Sequence, residues 1–578
     1  MTEITIPAQR PVGADGLLLH EDDHVAQLAL ALENLERVLG AAGLAPADLV
    51  AITVRTTDRR LFDDAAEVLT QRLVEHGVRP RIAVREVPWL GQAGMTVAVG
   101  ATARSVETTS HKEEQPMTSE LTESPRRAYA AAEALRGLCE GRVYLPGDAG
   151  YDQARTPWAV QVDQRPAAVA VPHSAQEVAE VVRAAAAAGL RIAPQSSGHG
   201  ASPFAGADLS GVLLIRLNEF TGVSVDPDHR LARVLGGTLW QTVVEAAAAH
   251  GLAALHGSSP DVAVAGYTLG GGLSWYGRRY GLAAHHLRAV ELVLADGRLV
   301  RADAEHEADL FWALKGGGGS FGIVTALEFD LLPIPDAYAG MLLWPAERAA
   351  EVAHRWAEWT RTVPDAVTTS LRLMSFPPLP ELPPFLSGRK LVVIDGAVLA
   401  SDEAASELLA PLRALSPEMD TFGRMPAAAL TRLHMDPEGP TPSVSNSVLL
   451  GELPAAAVEA FLGAAGPESG SSVLAAEIRQ LGGALGRPAD AALASVAGEH
   501  LAFFIAIAAT PEMAARGVAD AGRAVAALVP WASGARYLNF DDNVVETSAG
   551  YTPQAWRRLQ TVREAVDPER RLLANHAV

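Results

Sequence analysis

Two glycine-rich stretches, about sixty residues apart, constrain this chain more than anything else in it. The first is Pro194-Gln195-Ser196-Ser197-Gly198-His199-Gly200, a small-residue turn that presents one histidine among glycines. The second, from Gly257 to Gly272, reads GSSPDVAVAGYTLGGG and ends in Gly270, Gly271 and Gly272. Glycines at this density let main-chain N–H groups approach a ligand closely and form an anion-binding concavity. The usual nucleotide loops are missing: there is no G-x-x-x-x-G-K-[ST], and no G-x-G-x-x-G between a strand and a helix.

The surrounding sequence supplies a scaffold for such loops. Residues 167–171 are apolar and lead through Pro172 to a capping-box pattern, Ser174-Ala175-Gln176-Glu177. An alanine-rich helical segment follows, stops at Gly189, and gives way to apolar residues 190–193. Strand, helix and strand make a βαβ unit that delivers the histidine loop from a strand end, where open α/β sheets bind ligands. Asp226-Pro227-Asp228 and Asp296-Gly297 each sit between short apolar runs and mark two hairpins.

Together the two stretches resemble the flavin-binding loops of FAD-linked oxidases of the berberine-bridge-enzyme and hydroxynicotine-oxidase type, which have a vanillyl-alcohol-oxidase-like flavin domain. Trp275–Gly281 (WYGRRYG) and the second glycine-rich turn in residues 311–324 (FWALKGGGGSFGIV) extend the resemblance. It implies bound FAD, with a histidine in the position of His199 bonded covalently to a methyl carbon of the flavin ring. Many members add a second bond from a cysteine; here that position, just before Pro260, is Ser259, and the only cysteine is Cys139, outside the motif. A hydroxyl is a far poorer nucleophile than a thiolate. One link, through His199, is therefore implied, the alternative being a histidine that only hydrogen-bonds across the turn. The resemblance assigns cofactor contacts to Pro194, Gln195, Ser196, Ser197, Gly198, His199 and Gly200. In the later loops it assigns Ser259, Pro260, Val264, Gly266, Tyr267, Gly270, Gly271, Gly272, Tyr280, Gly322, Ile323 and Val324, with Asn539 near the C-terminus. Lys315 reads as a solvated surface lysine, and no metal is expected.

Arg536-Tyr537-Leu538-Asn539-Phe540 reads as a strand, whose period of two puts Tyr537 and Asn539 on one face. In family members with this Y-x-N pattern the tyrosine is often the catalytic base. An unperturbed tyrosine has a pKa of about 10, so the role needs a local shift or a proton relay. The competing reading is a buried tyrosine that satisfies a hydrogen bond.

A net charge of −21 argues against nucleic-acid and anionic-membrane partners. One cysteine permits no internal disulfide, which suits a reducing compartment. The first residues lack the basic flank and apolar core of a secretory signal, and no apolar run of around twenty residues occurs. The cytoplasm is the expected compartment.

Residues 105–124 are polar and charged and read as a tether. Upstream, residues 16–104 carry Val25, Leu28, Leu32, Leu35, Val38 and Leu39 at helical spacing, followed by a strand, helix, strand, strand pattern. This segment resembles the reactive-intermediate deaminase (Rid) family, small trimers that hydrolyse imines and use an arginine to hold a substrate carboxylate. Arg81 is the nearest candidate, but the last strand, MTVAVGATA, lacks the family's acidic residue. Self-association, giving a homo-oligomer, is the expectation for this domain.

The expected architecture is α+β. A small Rid-like domain precedes a two-part FAD-binding domain, residues 125–335 and 536–578, around a substrate-binding domain with an antiparallel sheet, residues 336–535. The expected function is oxidation of a C–O or C–N bond in a small molecule of secondary-metabolite type. Hydride passes to FAD, Tyr537 removes the proton, and molecular oxygen reoxidises the flavin to give hydrogen peroxide. The alternatives are an amine oxidase coupled to imine hydrolysis by the Rid-like domain, and a non-catalytic flavin-binding assembly protein.

Overall fold

The computed structural model describes residues 2–9, 11, 20, 23–41, 44–76, 78, 80–86, 95–105, 131–378, 380 and 383–578. It forms two compact units, Met1–Glu120 and Leu121–Val578. Beyond Ser105, the tether expected over residues 105–124 lies outside the described residues.

The N-terminal unit contains β1 (Thr2–Gln9), α1 (His24–Ala41), β2 (Leu49–Thr56), α2 (Arg59–Glu75), β3 (Arg81–Glu86) and β4 (Val97–Ser105). Leu28, Leu32, Leu35 and Leu39 recur along one face of α1 and are buried against Ile52, Val54 and Val99 of the sheet. Asp58 caps α2 by accepting from the Arg60 N–H at 2.8 Å. The strands are ordered β1-β4-β2-β3, with β2 and β3 parallel and the other pairs antiparallel. β1 lies upstream of the boundary expected at Gly16: it pairs with β4 from Thr2 opposite Ser105 onward. Its short run carried no turn signal to mark it as a strand of this unit.

In the C-terminal unit, β5 (Val143–Tyr144), β6 (Ala168–Ala170), β7 (Arg191–Gln195) and β8 (Val212–Arg216) form a sheet ordered β5-β6-β8-β7. Between β6 and β7 runs α3 (Ala175–Ala187), started by Ser174, whose hydroxyl accepts from the Glu177 N–H at 3.2 Å. Glu177 reaches back to the His173 N–H at 2.6 Å and pairs with Arg142 at 3.0 Å. β8 is buried along its whole length between parallel neighbours, which suits the apolar run of residues 212–215 that precedes Arg216. β7 ends at Gln195 and opens directly into the histidine loop.

A second, antiparallel sheet contains β9 (Val223–Asp226), β10 (Leu231–Leu235), β11 (Leu287–Val293), β12 (Leu299–Asp303) and β13 (Ile323–Asp330), ordered β12-β11-β13-β10-β9. Both hairpins read from the sequence are present in it.

The third sheet is antiparallel and has eight strands: β14 (Asp336–Pro345), β15 (Val367–Ser375), β16 (Lys390–Val398), β17 (Met419–Asp420), β18 (Gly423–Pro426), β19 (Ser443–Leu450), β20 (Ala475–Gln480) and β21 (His500–Ile507). Its alternation separates two interiors. Val367, Leu371, Leu373, Ile478 and Phe504 face a core with Trp356 and Phe461 from the helices Ala349–Thr360 and Ala455–Ala465. Residues offset by one, Ser370, Arg372, Asp395, Glu477 and Arg479, occupy the opposite face; all are polar, and all but the partly exposed Arg479 are buried.

Candidate active site

The histidine loop and the later glycine-rich loops meet the C-terminal residues around a cavity of about 370 Å³. Pro194, Gln195, Ser196, Ser197, Gly198, His199 and Gly200 all line it, as do Ser259, Gly266, Tyr267, Gly270, Gly322, Val324 and Asn539. Gly198 adopts φ +84°, and a Cβ there would stand 2.7 Å from the Pro157 Cβ, so the turn before His199 requires glycine.

His199 is held on three sides. Its ring stacks on Trp158, with centroids 4.1 Å apart and planes 17° apart. Nδ1 is 2.9 Å from the Ser197 hydroxyl, and Nε2 is 3.5 Å from Asp261 Oδ1. The other oxygen of Asp261 accepts from the Trp158 indole N–H at 2.7 Å and from the Gly439 N–H at 3.0 Å. Burial opposes the carboxylate charge, but His199, Trp158 and Gly439 outweigh it and hold the pKa of Asp261 down at about 2. A carboxylate beside Nε2 favours the tautomer with its proton there, leaving the lone pair on Nδ1.

Six of the expected cofactor contacts do not line the cavity, and neither does Tyr537, the expected base. Val264 and Ile323 turn into the cores beneath the loops. Pro260 contributes a backbone carbonyl that accepts from the Gln241 N–H at 2.9 Å. Gly271 packs on Tyr537, Gly272 packs on Tyr267 and Ala283, and Tyr280 packs beside the cluster containing Trp275 and Tyr276. Tyr537 lies behind the glycine triplet, only 2% exposed. Lys315 sits over the Phe311 ring, away from the cavity.

The strand expected at residues 536–540 is instead a turn, with a 3-10 segment over Leu538–Phe540. A turn lets Leu538, Asn539 and Phe540 all reach the cavity, which alternation in a strand would forbid. Asn539 donates to the Tyr267 carbonyl at 2.8 Å, and a Cβ on Gly270 would stand 1.8 Å from its Oδ1. The Tyr537 hydroxyl is buried and closes no hydrogen bond of ordinary geometry. Burial raises its pKa above the usual phenol value, against the Asn539 side chain, the Gly272 backbone and the Arg479 charge.

Sequence reasoning missed Arg479 and the C-terminal residues Ala574, Asn575 and His576, all of which line the cavity. A strand period of two would have put Glu477 and Arg479 on one face. Nothing local identified that face as the one toward the cavity.

The glycine-lined walls fit a large cofactor. A methyl on Gly266 would enter open space, and the nearest atoms to one on Gly318 or Gly319 would be 3.9 Å away. Residues 166–303 match the model of an FAD binding domain, and residues 5–105 match that of Endoribonuclease L-PSP. The C-terminal unit therefore carries an FAD binding domain and is similar to FAD-linked oxidases of the berberine-bridge and hydroxynicotine-oxidase type. The N-terminal unit is a Rid-type domain.

Glucooligosaccharide oxidase of Sarocladium strictum is 34% identical over 231 residues, 39% of this chain and 46% of that protein. (R)-6-hydroxynicotine oxidase of Paenarthrobacter nicotinovorans is 35% identical over 215 residues, 37% of this chain and 46% of that protein. These matches span about half the length of the curated relatives. The crystal structure of 6-hydroxy-D-nicotine oxidase from Arthrobacter nicotinovorans superposes with a TM-score of 0.65 at 25% identity, covering 74% of this chain and 95% of that one. BBE-like 1 of Physcomitrella patens shares the fold, with a TM-score of 0.67 at 20% identity over 79% of this chain and 99% of that one. Among the described residues, no helix is long and apolar enough to cross a membrane, and no group of His, Cys, Asp and Glu could hold a metal ion.

The Asp261 environment gives a signed expectation. A carboxyl whose pKa is lower in the folded state stabilises the fold above its unfolded pKa and loses that effect as pH falls. Asp261→Asn should therefore lower stability near neutral pH by about 1–2 kcal/mol. In thermal melts, the gap from wild type should narrow as pH falls from about 4 to about 2. A gap that stays constant or widens on acidification would show that the lowered pKa is not what stabilises the fold.

Proposed function

We propose that this protein oxidises a C–O or C–N bond of a small molecule, using FAD joined covalently through His199 and molecular oxygen as acceptor. The observation that carries the reading is His199 at the cavity wall, clamped by Trp158, Ser197 and Asp261. When bound, FAD supplies the two-electron chemistry: it accepts hydride from the substrate carbon and passes the electrons to oxygen, giving hydrogen peroxide. His199 would form the bond to the flavin methyl carbon through the Nδ1 lone pair: the methyl would lose one proton, its C–H electron pair would pass into the flavin ring and on to oxygen, and the imidazole, keeping its Nε2 proton, would become cationic. Asp261, beside Nε2, balances the charge that the ring gains. Glucooligosaccharide oxidase and (R)-6-hydroxynicotine oxidase are named for small molecules that carry C–O and C–N bonds, which supports the same substrate chemistry here.

Tyr537 is the proposed base, acting through a proton relay because its hydroxyl lies behind Gly271 and off the cavity wall. Its pKa is raised by burial, so the fraction ionised is small near neutral pH and grows as pH rises.

For the N-terminal unit, we favour assembly over imine hydrolysis. Both helices contribute to one core against the sheet, while Arg81 and Ile82 are exposed on the edge strand β3. The last strand lacks the acidic residue that the Rid resemblance calls for, which supports assembly. The cytoplasm remains the proposed compartment, and nucleic acid and membrane remain outside the proposed set of partners.

Acid precipitation tests the link: flavin should stay with the wild-type chain and be released from His199→Ala. Flavin released from the wild type would overturn covalent attachment. Tyr537→Phe should slow anaerobic flavin reduction at least about tenfold with little loss of flavin. In the wild type that rate should climb with pH without a plateau below about pH 10. An unchanged rate in Tyr537→Phe assigns the base elsewhere. A chain beginning near Pro125 should keep flavin and turnover but have a smaller assembly mass, measured by light scattering. Lost turnover with bound, reducible flavin would instead place the N-terminal unit in the reaction.

A further inference from the structure

The buried face of the third sheet carries a row of ionisable groups that flavin binding alone leaves without a purpose. Arg372 pairs with Asp395, which also accepts from the Ser370 hydroxyl at 2.7 Å. His434 Nδ1 lies 2.7 Å from the same carboxylate. On its other side, His434 Nε2 is 2.7 Å from Arg479 Nη2 and 3.3 Å from Glu477 Oε1. Arg479 completes the row with Nε 2.9 Å and Nη2 3.3 Å from Glu477. Its side chain is 11% exposed.

Arg479 is the one Arg or Lys among the described residues that line the cavity. Nε and Nη2 are engaged, whereas Nη1 has no hydrogen-bond partner among the described residues. Aromatic rings restrain the group, with the guanidinium carbon 5.1 Å from the Phe540 centroid and 5.8 Å from that of Trp275. This free guanidinium edge faces the cavity with donors to spare, and a carboxylate matches its geometry. The acidic residues on the cavity wall have partners of their own: Asp541 pairs with Arg536, and Asp542 accepts from the Ser445 hydroxyl.

We propose that Arg479 recognises an anionic group of the substrate, so that the molecule oxidised carries a carboxylate held on the Nη1 side of the guanidinium. This rests on the oxidase reading and names the substrate class for the same cavity. Glu477 orients the guanidinium and also competes with the incoming anion. His434, between Asp395 and Glu477, accepts from Arg479 Nη2 and has its pKa raised by those carboxylates despite burial. Tyr267, Leu273 and Phe540 supply apolar wall for the rest of the molecule.

The test uses the flavin-loaded full chain and isothermal titration with benzoate and with benzamide, its uncharged counterpart. Benzoate should bind at least about tenfold more tightly, as expected for a charge-assisted pair in a dry site. Arg479→Met should reduce benzoate binding to the benzamide level. The double variant Arg479→Met/Glu477→Gln should do the same without leaving a buried carboxylate unpaired. Glu477→Gln alone should tighten benzoate binding, whereas damage to a merely structural ion pair would weaken it. Equal binding of benzoate and benzamide by wild type overturns the proposal. So does benzoate binding that survives both Arg479 variants, or flavin loss from those variants, which would show that the guanidinium holds cofactor. The outcome is separable from turnover. Arg479-dependent benzoate binding without flavin reduction by any alcohol or amine sinks the oxidase reading alone. Turnover of neutral alcohols with no preference for benzoate sinks the substrate-class proposal alone.

Discussion

The cavity depends on two side-chain amides from the end of the chain, each laid across a glycine. Asn539 donates to the Tyr267 carbonyl, and its oxygen fills the space where Gly270 would otherwise carry a Cβ. Asn575 donates to the Gly200 carbonyl at 3.0 Å, and a Cβ on Gly200 would stand 2.9 Å from its nitrogen. The same device therefore fastens both glycine-rich loops to residues hundreds of positions away. Each contact satisfies a loop carbonyl, and the missing side chain permits the approach. The last strand-like contact, a parallel bridge from Leu572 to Ile192, aligns the tail with the strand that delivers His199.

Behind this frame lies an electrostatic cost. Arg372, Asp395, Glu477 and Arg479 are four formal charges in a nearly dry layer, with His434 among them. Burying charges that cancel in pairs is often no better for stability than burying apolar residues of the same volume. Removing one partner, by contrast, leaves an uncompensated charge and is strongly destabilising. A row of this kind is better explained by what it orients than by the stability it adds. It presents a guanidinium at a fixed position on the cavity wall, which a solvated lysine or arginine with free rotamers could not do.

Local chemistry was legible in the sequence wherever one residue decided the outcome. Ser174 and Gly189 bracket α3 because a hydroxyl cap and a left-handed stop act within a few residues. Asp296-Gly297 fixed a hairpin for the same reason. The histidine loop was legible because its spacing of glycines and serines is specific. What could not be read depended on distance. Val264 and Ile323 belong to loop motifs, yet each turns inward, because the core beneath the loop decides which side chain faces which way. Residues 536–540 alternate like a strand, but no neighbouring strand pairs with them, and a turn satisfies the backbone instead. β1 was missed because its partner, β4, lies about ninety residues later in the chain. The cavity-lining tail had no motif of its own.

The two faces of the eight-stranded sheet divide stability from recognition. On the helix side, Trp356 donates its indole N–H to Thr369 at 3.0 Å amid a fully buried apolar core. Substitutions there act through packing, whose cost depends on the volume removed. One residue along the same strands, the side chains face the cavity layer, where size matters less than charge and donor geometry. A strand such as β20 therefore carries both constraints at alternate positions: Ile478 anchors the sheet, while Glu477 and Arg479 project from its other side. The backbone that holds Arg479 in place is fixed by contacts with no share in the chemistry. Residues on the cavity face can consequently change with the substrate while the helix-facing residues preserve the fold.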